Sequence, residues 1–356
     1  MLNTNIFLKK LIDQGYSHLC VVPCSFAKNL INASINHSNK IEYVPCASEA
    51  IACSVAAGLK MSGKKPIVIV QSSGLTNLGS CITSLLKPYE VIFPIIVSWR
   101  TYQDGDSEIQ HKHLSKHLPD LVSAYGYESM VIENNNIDTA IDQINQCNTS
   151  NKICLLEKGT FTKVDLINQY QLDLSSYIPR SKFLYSLNKI FKTRDVLFVG
   201  TTGNTSREMN SVMLDTNNFY MAGNMGGALS VGLGAAKAGK RVIICGGDAE
   251  FVMHMGGLTT AGRYSNDINL HYILFDNESN KSTGGQQTYQ NHINYIKIAE
   301  NSGFTCNSNI IDTLEEFLEL LKKSIEVKRL EFTHVKCSYD NEFPRPPVSK
   351  IAKNHF

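Results

Sequence analysis

The chain has 356 residues, of which 43% are hydrophobic and 19% are charged, and its formal net charge is +2. This composition excludes a mainly disordered chain, and so small a net charge is not typical of nucleic-acid or membrane-surface binding proteins. The longest apolar runs, such as Val91–Val97, have the length of a buried strand rather than of a membrane span. The amino-terminal segment lacks the apolar core of a signal peptide, so we expect a cytoplasmic protein with no nucleic-acid or membrane partner.

Short apolar runs alternate with helical patterns along the chain. In chain order, the runs that predict buried strands are His18–Val22, Pro66–Val70, Phe93–Ser98, Asp195–Val199, Val242–Cys245 and Leu270–Phe275. Helical patterns lie between them, for example at Ser48–Met61 and Thr313–Val327. Continuous apolar strands separated by helices are typical of parallel sheets that are covered on both faces, so we predict an α/β fold.

This alternating pattern occurs twice. The first set of strands and helices ends near Ile153–Leu156, and a second set begins near Ser181. With about 150 residues as an ordinary domain size, the length also favours two domains. We therefore predict two doubly wound α/β domains with parallel sheets, at 1–165 and 181–356, joined by a linker at 166–180.

Two polar residues follow predicted strands of the second half. Asp248 comes after Val242–Cys245, and Asn277 comes after Leu270–Phe275. If these strands are neighbours, both side chains lie at the same edge of the sheet, where α/β folds bind ligands. A carboxylate, an amide oxygen and a nearby backbone carbonyl would suit Mg²⁺. The structural alternative is that Asp248 caps a helix and Asn277 makes a turn.

Glu49 is a second candidate, in the first half of the chain. It is the only acidic residue of the segment Ala47–Gly58, which otherwise consists of small and apolar residues. The segment reads as the start of a helix after a strand. An acidic residue in a first helical turn is stabilised by the helix dipole, which gives Glu49 a purely structural alternative.

Taken together, these features resemble the thiamine-diphosphate-dependent enzymes. Their diphosphate motif is Gly-Asp-Gly followed further along by Asn-Asn, and here Gly247-Asp248 and Asp276-Asn277 stand in its place, with Ala249 and Asp276 departing from the consensus. The resemblance implies Mg²⁺ ligands at Asp248, Asn277 and the backbone carbonyl of Ser279. It also implies that Glu49 lies beside the aminopyrimidine ring and assists activation of the cofactor.

The same resemblance implies a fold and an assembly. The first domain would bind the pyrimidine ring and the second the diphosphate, with the active site between the first domain of one subunit and the second domain of another. A homodimer or homotetramer is therefore expected. Residues implied to contact the cofactor are Glu49, Gly74, Thr201, Gly226, Gly247, Asp248, Ala249 and Asn277.

Within these enzymes, the chain resembles the phosphonopyruvate decarboxylase family over nearly its whole length, and sulfopyruvate decarboxylases are similar in architecture. The matching segments include Val22-Pro-Cys-Ser25, Gln71-Ser-Ser-Gly-Leu-Thr-Asn77, Trp99-Arg100, Gln110-His111, Thr201-Thr-Gly-Asn-Thr-Ser-Arg-Glu208, Gly223-Asn-Met-Gly226, Met253-His-Met-Gly256 and Gly284-Gly-Gln286. The resemblance implies non-oxidative decarboxylation of 3-phosphonopyruvate to phosphonoacetaldehyde and CO₂.

Other functions stay open from the residues alone. The substrate could be sulfopyruvate or another short anionic 2-oxo acid, and the reaction could be a carboligation. An alternative of a different class is a partner subunit that binds the cofactor without catalysing a reaction. The changes at Cys24, Ala249 and Asp276 are what such a subunit would show, whereas the retention of Glu49 argues against it.

The resemblance also implies the residues that face the substrate. His111 matches a family site position and could transfer protons near neutral pH. Cys24 stands where the family has Asp, so it is either a catalytic residue or a small packed residue at a strand end. An anionic substrate requires cations or hydrogen-bond donors, and the candidates for this role are Ser25, Lys28, Arg100 and Lys281.

Overall fold

The computed structural model describes residues 1–101, 108–325, 328–339 and 343–346. They form two compact units. Unit 1 comprises Met1–Gln171 and Asn280–Gln287, and unit 2 comprises Leu172–Ser279 and the described residues from Thr288 onwards.

Unit 1 is a six-stranded parallel sheet with helices. Its strands are β1 (His18–Val21), β2 (Glu42–Pro45), β3 (Pro66–Gln71), β4 (Ile95–Ser98), β5 (Glu128–Val131) and β6 (Lys152–Leu156). Its α-helices are α1 (Thr4–Asp13), α2 (Lys28–Asn36), α3 (Glu49–Met61), α4 (Ser72–Asn77), α5 (Gly79–Cys81), α6 (Lys112–Ala124) and α7 (Ile137–Cys147). A π-helix covers Ile82–Leu86 and a 3₁₀-helix covers Ile109–His111. The strand order is β2-β1-β3-β4-β6-β5.

Unit 2 has a second six-stranded parallel sheet. Its strands are β7 (Leu197–Gly200), β8 (Asn217–Tyr220), β9 (Arg241–Gly247), β10 (Asn269–Asp276), β11 (Thr305–Cys306) and β12 (Leu330–Lys336). Its α-helices are α8 (Arg180–Phe191), α9 (Asn204–Val212), α10 (Ala228–Lys237), α11 (Asp248–Met253), α12 (Gly256–Gly262), α13 (Tyr295–Asn301) and α14 (Leu314–Ser324). Just before unit 2 begins, a short 3₁₀-helix that still belongs to unit 1 covers Asn168–Tyr170. The strand order is β11-β12-β10-β9-β7-β8.

The two sheets share one topology. Within each unit, the strands counted in chain order stand in the sequence second, first, third, fourth, sixth, fifth. The prediction of two doubly wound α/β domains is therefore confirmed. The order reverses between β1 and β3 in unit 1 and between β7 and β9 in unit 2. In such sheets, ligands bind at the carboxyl ends of the strands beside this switch point.

The cores lie on both faces of each sheet. In β3, Ile67 and Ile69 pack into one buried cluster, whereas Val68 and Val70 pack into another on the opposite face. Successive side chains of a strand point to opposite faces, so only a strand covered on both sides reads as a continuous apolar run. None of the helices in the described parts of the chain is both long and apolar enough to cross a membrane.

Helix and strand ends differ from the predicted ones by a few residues. The predicted strand Phe93–Ser98 begins at Ile95, after Pro94, which has no N–H to donate to a ladder. The predicted helix Thr313–Val327 runs over Leu314–Ser324, with Thr313 as its N-cap. The last two residues of that prediction, 326 and 327, lie outside the described residues.

Candidate active site

Three polar residues of unit 2 meet at the carboxyl edge of its sheet. β9 lies between β7 and β10, and the register pairs Gly200 with Cys245 and Phe275 with Gly247. The residues that follow these strands, Thr201, Asp248 and Asn277, therefore lie on adjacent strand ends. The strands that precede Asp248 and Asn277 are neighbours, which is the condition that the expected magnesium site requires.

Asp248 is a buried carboxylate at the start of α11. It is the first residue of the helix, and Gly247 is the N-cap. Its side chain accepts a hydrogen bond from Thr288 Oγ1, which lies 3.1 Å from Oδ2. Burial, followed by the charge of Asp276, raises the pKa of Asp248 to about 7. A cation bound at this carboxylate would favour its ionised form.

Asn277 and Ser279 form a turn directly beyond β10. Asn277 Oδ1 accepts a hydrogen bond from Ser279 N at 3.1 Å, so the turn expected as the structural alternative is present. Both residues are buried, and Ser279 Oγ has no hydrogen-bond partner among the described residues. The Asp248 carboxylate, the Asn277 amide oxygen and the Ser279 backbone carbonyl are all oxygen ligands, and the unpartnered Ser279 hydroxyl is a further one. These residues fit the hard-oxygen coordination that Mg²⁺ prefers.

Asp276, which departs from the family motif, forms ion pairs with His334 and Lys336. Its Oδ2 lies 3.0 Å from His334 Nε2 and 3.1 Å from Lys336 Nζ. Burial opposes ionisation, but the hydrogen bond from His334 and the charge of Lys336 hold the pKa of Asp276 below its usual value. The carboxylate is therefore ionised and paired within unit 2.

The remaining cofactor residues predicted in unit 2 have small side chains in tight surroundings. Gly226 has φ +88, and a Cβ there would lie 2.8 Å from the His254 ring, so no larger residue fits. A Cβ on Gly247 would lie 4.0 Å from Thr201 Cγ2, which places these two predicted residues side by side. Ala249 lies in the first turn of α11, where the helical backbone accommodates Ala as well as Gly.

In unit 1, Glu49 is buried in close contact with Gly74 and Asn77. It is the first residue of α3 and only 3% exposed, and the helix is capped by Ser48, which accepts a hydrogen bond from Ile51 N. Asn77 Nδ2 donates to Glu49 Oε2 at 2.9 Å. A Cβ on Gly74 would lie 2.6 Å from Glu49 Oε1, so glycine is required to leave room for the carboxylate. Gly74 and Asn77 thus fix the position of the acid.

A buried cation lies at the end of β4. Arg100 is 7% exposed, and its Nη1 donates to Ser25 Oγ at 2.7 Å. Its Nη2 lies 3.5 Å from Glu108 Oε2, and its guanidinium stacks over the Phe26 ring at 4.5 Å from the centroid. The structure therefore brings two of the predicted substrate residues, Arg100 and Ser25, into contact.

His111 belongs to the same cluster. It is 3% exposed, and its Nε2 donates to Glu108 Oε2 at 3.2 Å. Its Nδ1 is buried without a hydrogen-bond partner among the described residues. Glu108, which joins His111 to Arg100, was not predicted from the sequence. Its only signal is its position three residues before His111.

The other predicted substrate residues differ in their surroundings. Cys24 is fully buried, its Sγ lies 2.8 Å from Ser98 Oγ, and burial raises the pKa of the thiol. These are the properties of a neutral, packed residue. Lys28 is half-buried at the start of α2. Lys281 is exposed.

Two family descriptions match the two halves of the chain. The N-terminal TPP binding domain of thiamine pyrophosphate enzymes matches residues 3–121, and the C-terminal TPP binding domain matches residues 201–335. Thiamine pyrophosphate is another name for thiamine diphosphate.

Named relatives match most of the chain or one of its halves. A phosphonopyruvate decarboxylase of Streptomyces viridochromogenes is 29% identical over 83% of this chain and 78% of its own length. A sulfopyruvate decarboxylase of Methanosarcina acetivorans is 25% identical over 94% of this chain and 91% of its own. The beta subunit of the sulfopyruvate decarboxylase of Methanothermobacter thermautotrophicus is 40% identical over 31% of this chain and 60% of its own. The chain therefore belongs to the family of thiamine pyrophosphate-dependent decarboxylases that includes phosphonopyruvate and sulfopyruvate decarboxylases.

Proposed function

We propose that the protein decarboxylates 3-phosphonopyruvate to phosphonoacetaldehyde and CO₂ with thiamine diphosphate and Mg²⁺. The observation that carries this proposal is the cluster in unit 1 of two buried residues, Arg100 and His111, with the exposed Ser25, which offers a cation and hydrogen-bond donors to a small anion. In the balanced reaction, a proton takes the place of the departing CO₂ on the substrate carbon.

Each unit supplies different residues for this chemistry. Asp248, Asn277 and Ser279 of unit 2 would hold Mg²⁺, and Glu49 of unit 1 would hold a proton on its carboxylate at the pyrimidine ring. When bound, thiamine diphosphate supplies the electron sink that loss of CO₂ from a 2-oxo acid requires. Asn77 and Gly74 keep the Glu49 carboxylate in one orientation.

In this proposal His111 delivers the proton that replaces CO₂. Glu108 can only accept a hydrogen bond, so its contact with Nε2 requires that this nitrogen carries a proton. The second nitrogen, Nδ1, would then give up its proton from a doubly protonated ring, which leaves the neutral ring with its proton on Nε2. A carboxylate partner of this kind fixes both the tautomer and the orientation of an imidazole ring.

Arg100 supports a phosphonate or a similar anion as the substrate tail. A guanidinium binds tetrahedral oxyanions and carboxylates through two parallel N–H groups, and Ser25 adds a hydroxyl beside it. The Phe26 ring restricts the guanidinium to one plane. The phosphonate is favoured over the sulfonate because two phosphonopyruvate relatives that match most of the chain are 29% and 28% identical to it, against 25% for the sulfopyruvate relative.

The test compares CO₂ and aldehyde release from phosphonopyruvate, sulfopyruvate and pyruvate by protein loaded with thiamine diphosphate and Mg²⁺. We expect turnover of phosphonopyruvate. Arg100→Ala should raise its KM roughly 10- to 100-fold, more than it lowers kcat, because a hydrogen bond to a charged group is lost. Arg194→Ala, an exposed change in unit 2, is the control and should leave KM unchanged.

Each other outcome contradicts a named part of the proposal. An unchanged KM for Arg100→Ala would remove Arg100 from the substrate pocket. Turnover of sulfopyruvate alone would assign the substrate to the alternative. No release from any of the three acids, with the cofactor bound, would favour a carboligase or a catalytically inactive subunit.

The assembly that we propose is a homodimer or homotetramer in which a second copy covers α3. This helix begins with Glu49 and exposes an apolar face through Ile51 and Val55, which are 46% and 37% exposed and one turn apart. Apolar side chains so close to a catalytic acid favour burial against another subunit. The M. thermautotrophicus relative, which is named as a subunit, is consistent with assembly in this family.

Light scattering combined with size-exclusion chromatography tests the assembly. We expect a dimer or tetramer, and Ile51→Glu should shift it towards the monomer and reduce turnover, since a charge would be buried in the contact. Ile6→Glu is a matched control because Ile6 is 47% exposed on α1. A monomeric wild-type protein, or equal effects of both changes, would contradict the proposed contact.

A further inference from the structure

Glu250 is a buried carboxylate that the chemistry above does not use. It lies in α11, two residues after Asp248, and is 4% exposed. Its Oε1 accepts a hydrogen bond from Ala228 N at 3.2 Å. Its Oε2 accepts from Tyr272 Oη at 3.1 Å and from Gly247 N at 3.4 Å. One side chain therefore joins three segments that are separate in the sequence.

The first of these segments is the start of α10. Ala228 is the first residue of this helix, and its N-cap, Gly227, has no side chain to accept a hydrogen bond from the free N–H groups. Helix N-termini normally obtain such an acceptor from the N-cap residue itself. Glu250 provides the acceptor from a different element.

The second segment is the end of β9, where Gly247 precedes Asp248. The turn before α10 is tight, because Gly226 has a positive φ and Gly227 N donates to Asn224 O at 3.0 Å. A Cβ on Gly227 would lie 2.3 Å from Asn224 Nδ2. Gly226, Gly227 and Gly247 have no side chains that could fix the positions of these two turns.

The third segment, β10, supports the carboxylate through Tyr272. This ring stacks on Phe332 and contacts the edge of Phe251, so its hydroxyl is held in place. A Cβ on Gly246 would lie 2.2 Å from Tyr272 Oη, which means that glycine at this position leaves room for the contact with Glu250.

We propose that Glu250 is a positioning residue for the cofactor. By accepting these three hydrogen bonds, it holds the Gly226 turn and the Gly247-Asp248 turn at a fixed separation at the edge of the sheet in unit 2. Preorganised turns bind a diphosphate more tightly than turns that must be ordered on binding. The proposal requires that unit 2 binds thiamine diphosphate, but it does not depend on which acid is the substrate.

Glu250→Gln tests the proposal by exchanging one acceptor oxygen for an NH₂ donor. At least one of the three donors then loses its acceptor, whichever way the amide is turned. We expect the Kd of the apoprotein for thiamine diphosphate, measured by calorimetry with saturating Mg²⁺, to rise roughly 10- to 100-fold, as it does for outer-shell partners of ligands. At saturating cofactor, kcat should largely recover.

The matched control is Glu331→Gln, at another buried carboxylate of unit 2. Glu331 accepts hydrogen bonds from Ser324 and Arg329, away from the cofactor turns. This change should lower the melting temperature of the apoprotein without altering the cofactor Kd. If Glu250→Gln behaves in the same way, Glu250 is only a structural residue and the proposal is wrong.

A second variant decides the question if Glu250→Gln does not fold. Tyr272→Phe removes one donor and keeps the ring packing. Its cofactor Kd should rise about 2- to 10-fold, which corresponds to the loss of one ordinary hydrogen bond. An unchanged Kd for this variant would then overturn the proposal. Failure of the wild-type protein to bind thiamine diphosphate would instead contradict the proposed function.

Discussion

Glu49→Gln is expected to lower kcat roughly 10²- to 10⁴-fold while leaving thiamine diphosphate bound, which is the range that a positioned acid or base contributes. Gln has the same shape, and its carbonyl can still accept the hydrogen bond from Asn77. Helix α3 and its contacts with Gly74 and Asn77 should therefore persist. The amide, however, cannot hold a proton as a carboxylic acid does. Turnover reports the loss of the acid, and the cofactor Kd, measured on the same preparation, reports whether the binding of thiamine diphosphate is retained.

Glu42→Gln serves as the control in the same unit, because Glu42 is an exposed residue of β2. It should retain normal turnover. Retention of turnover by Glu49→Gln would show that Glu49 has only the structural role of a first-turn acid. A wild-type protein that binds the cofactor and releases no CO₂ would instead favour the inactive partner subunit.

The fold could be predicted where strands are covered on both faces. β3, β9 and β10 have continuous apolar runs because the chain packs helices on each side of them. β12 was not predicted, since Glu331 and Thr333 interrupt its apolar pattern. In the structure both are buried and hydrogen-bonded, Thr333 to His271 and Glu331 to Ser324. Pairing of polar groups within a core depends on tertiary contacts, which local sequence patterns do not contain.

The bounds of two short edge strands were not predicted, for a different physical reason. β2 has no fully buried residue, and β11 has only two residues. An edge strand has a neighbour on one side only, and neither of these two buries enough of its side chains to give an apolar run. Their position could be recognised only after the central strands were in place.

The candidate site was predictable to the extent that it follows strand ends. Asp248 and Asn277 come directly after two neighbouring strands, and Glu49 starts a helix after β2. Glu108 and Glu250 were missed because their importance lies in contacts across the chain. Glu250 meets Ala228, 22 residues away, and Tyr272, also 22 residues away. Sequence spacing alone gives no indication of such contacts.

Asp248→Asn should weaken Mg²⁺-dependent binding of thiamine diphosphate roughly 100-fold or more. An amide keeps an oxygen ligand but removes the negative charge, and a hard divalent cation depends on that charge when it leaves water. We expect this loss to lie at or above the upper end of the 10- to 100-fold range that outer-shell changes cost. Calorimetry of the apoprotein with thiamine diphosphate, with and without Mg²⁺, measures it directly.

Asp276→Asn is the matched comparison, because it makes the same chemical change on the neighbouring strand end. Asp276 is engaged by His334 and Lys336, so its neutralisation should break ion pairs within unit 2 and lower the melting temperature. The Mg²⁺ dependence of cofactor binding should persist. Loss of that dependence in Asp276→Asn, with retention in Asp248→Asn, would move the metal ligand from Asp248 to Asp276, because only the true ligand supplies charge to the cation.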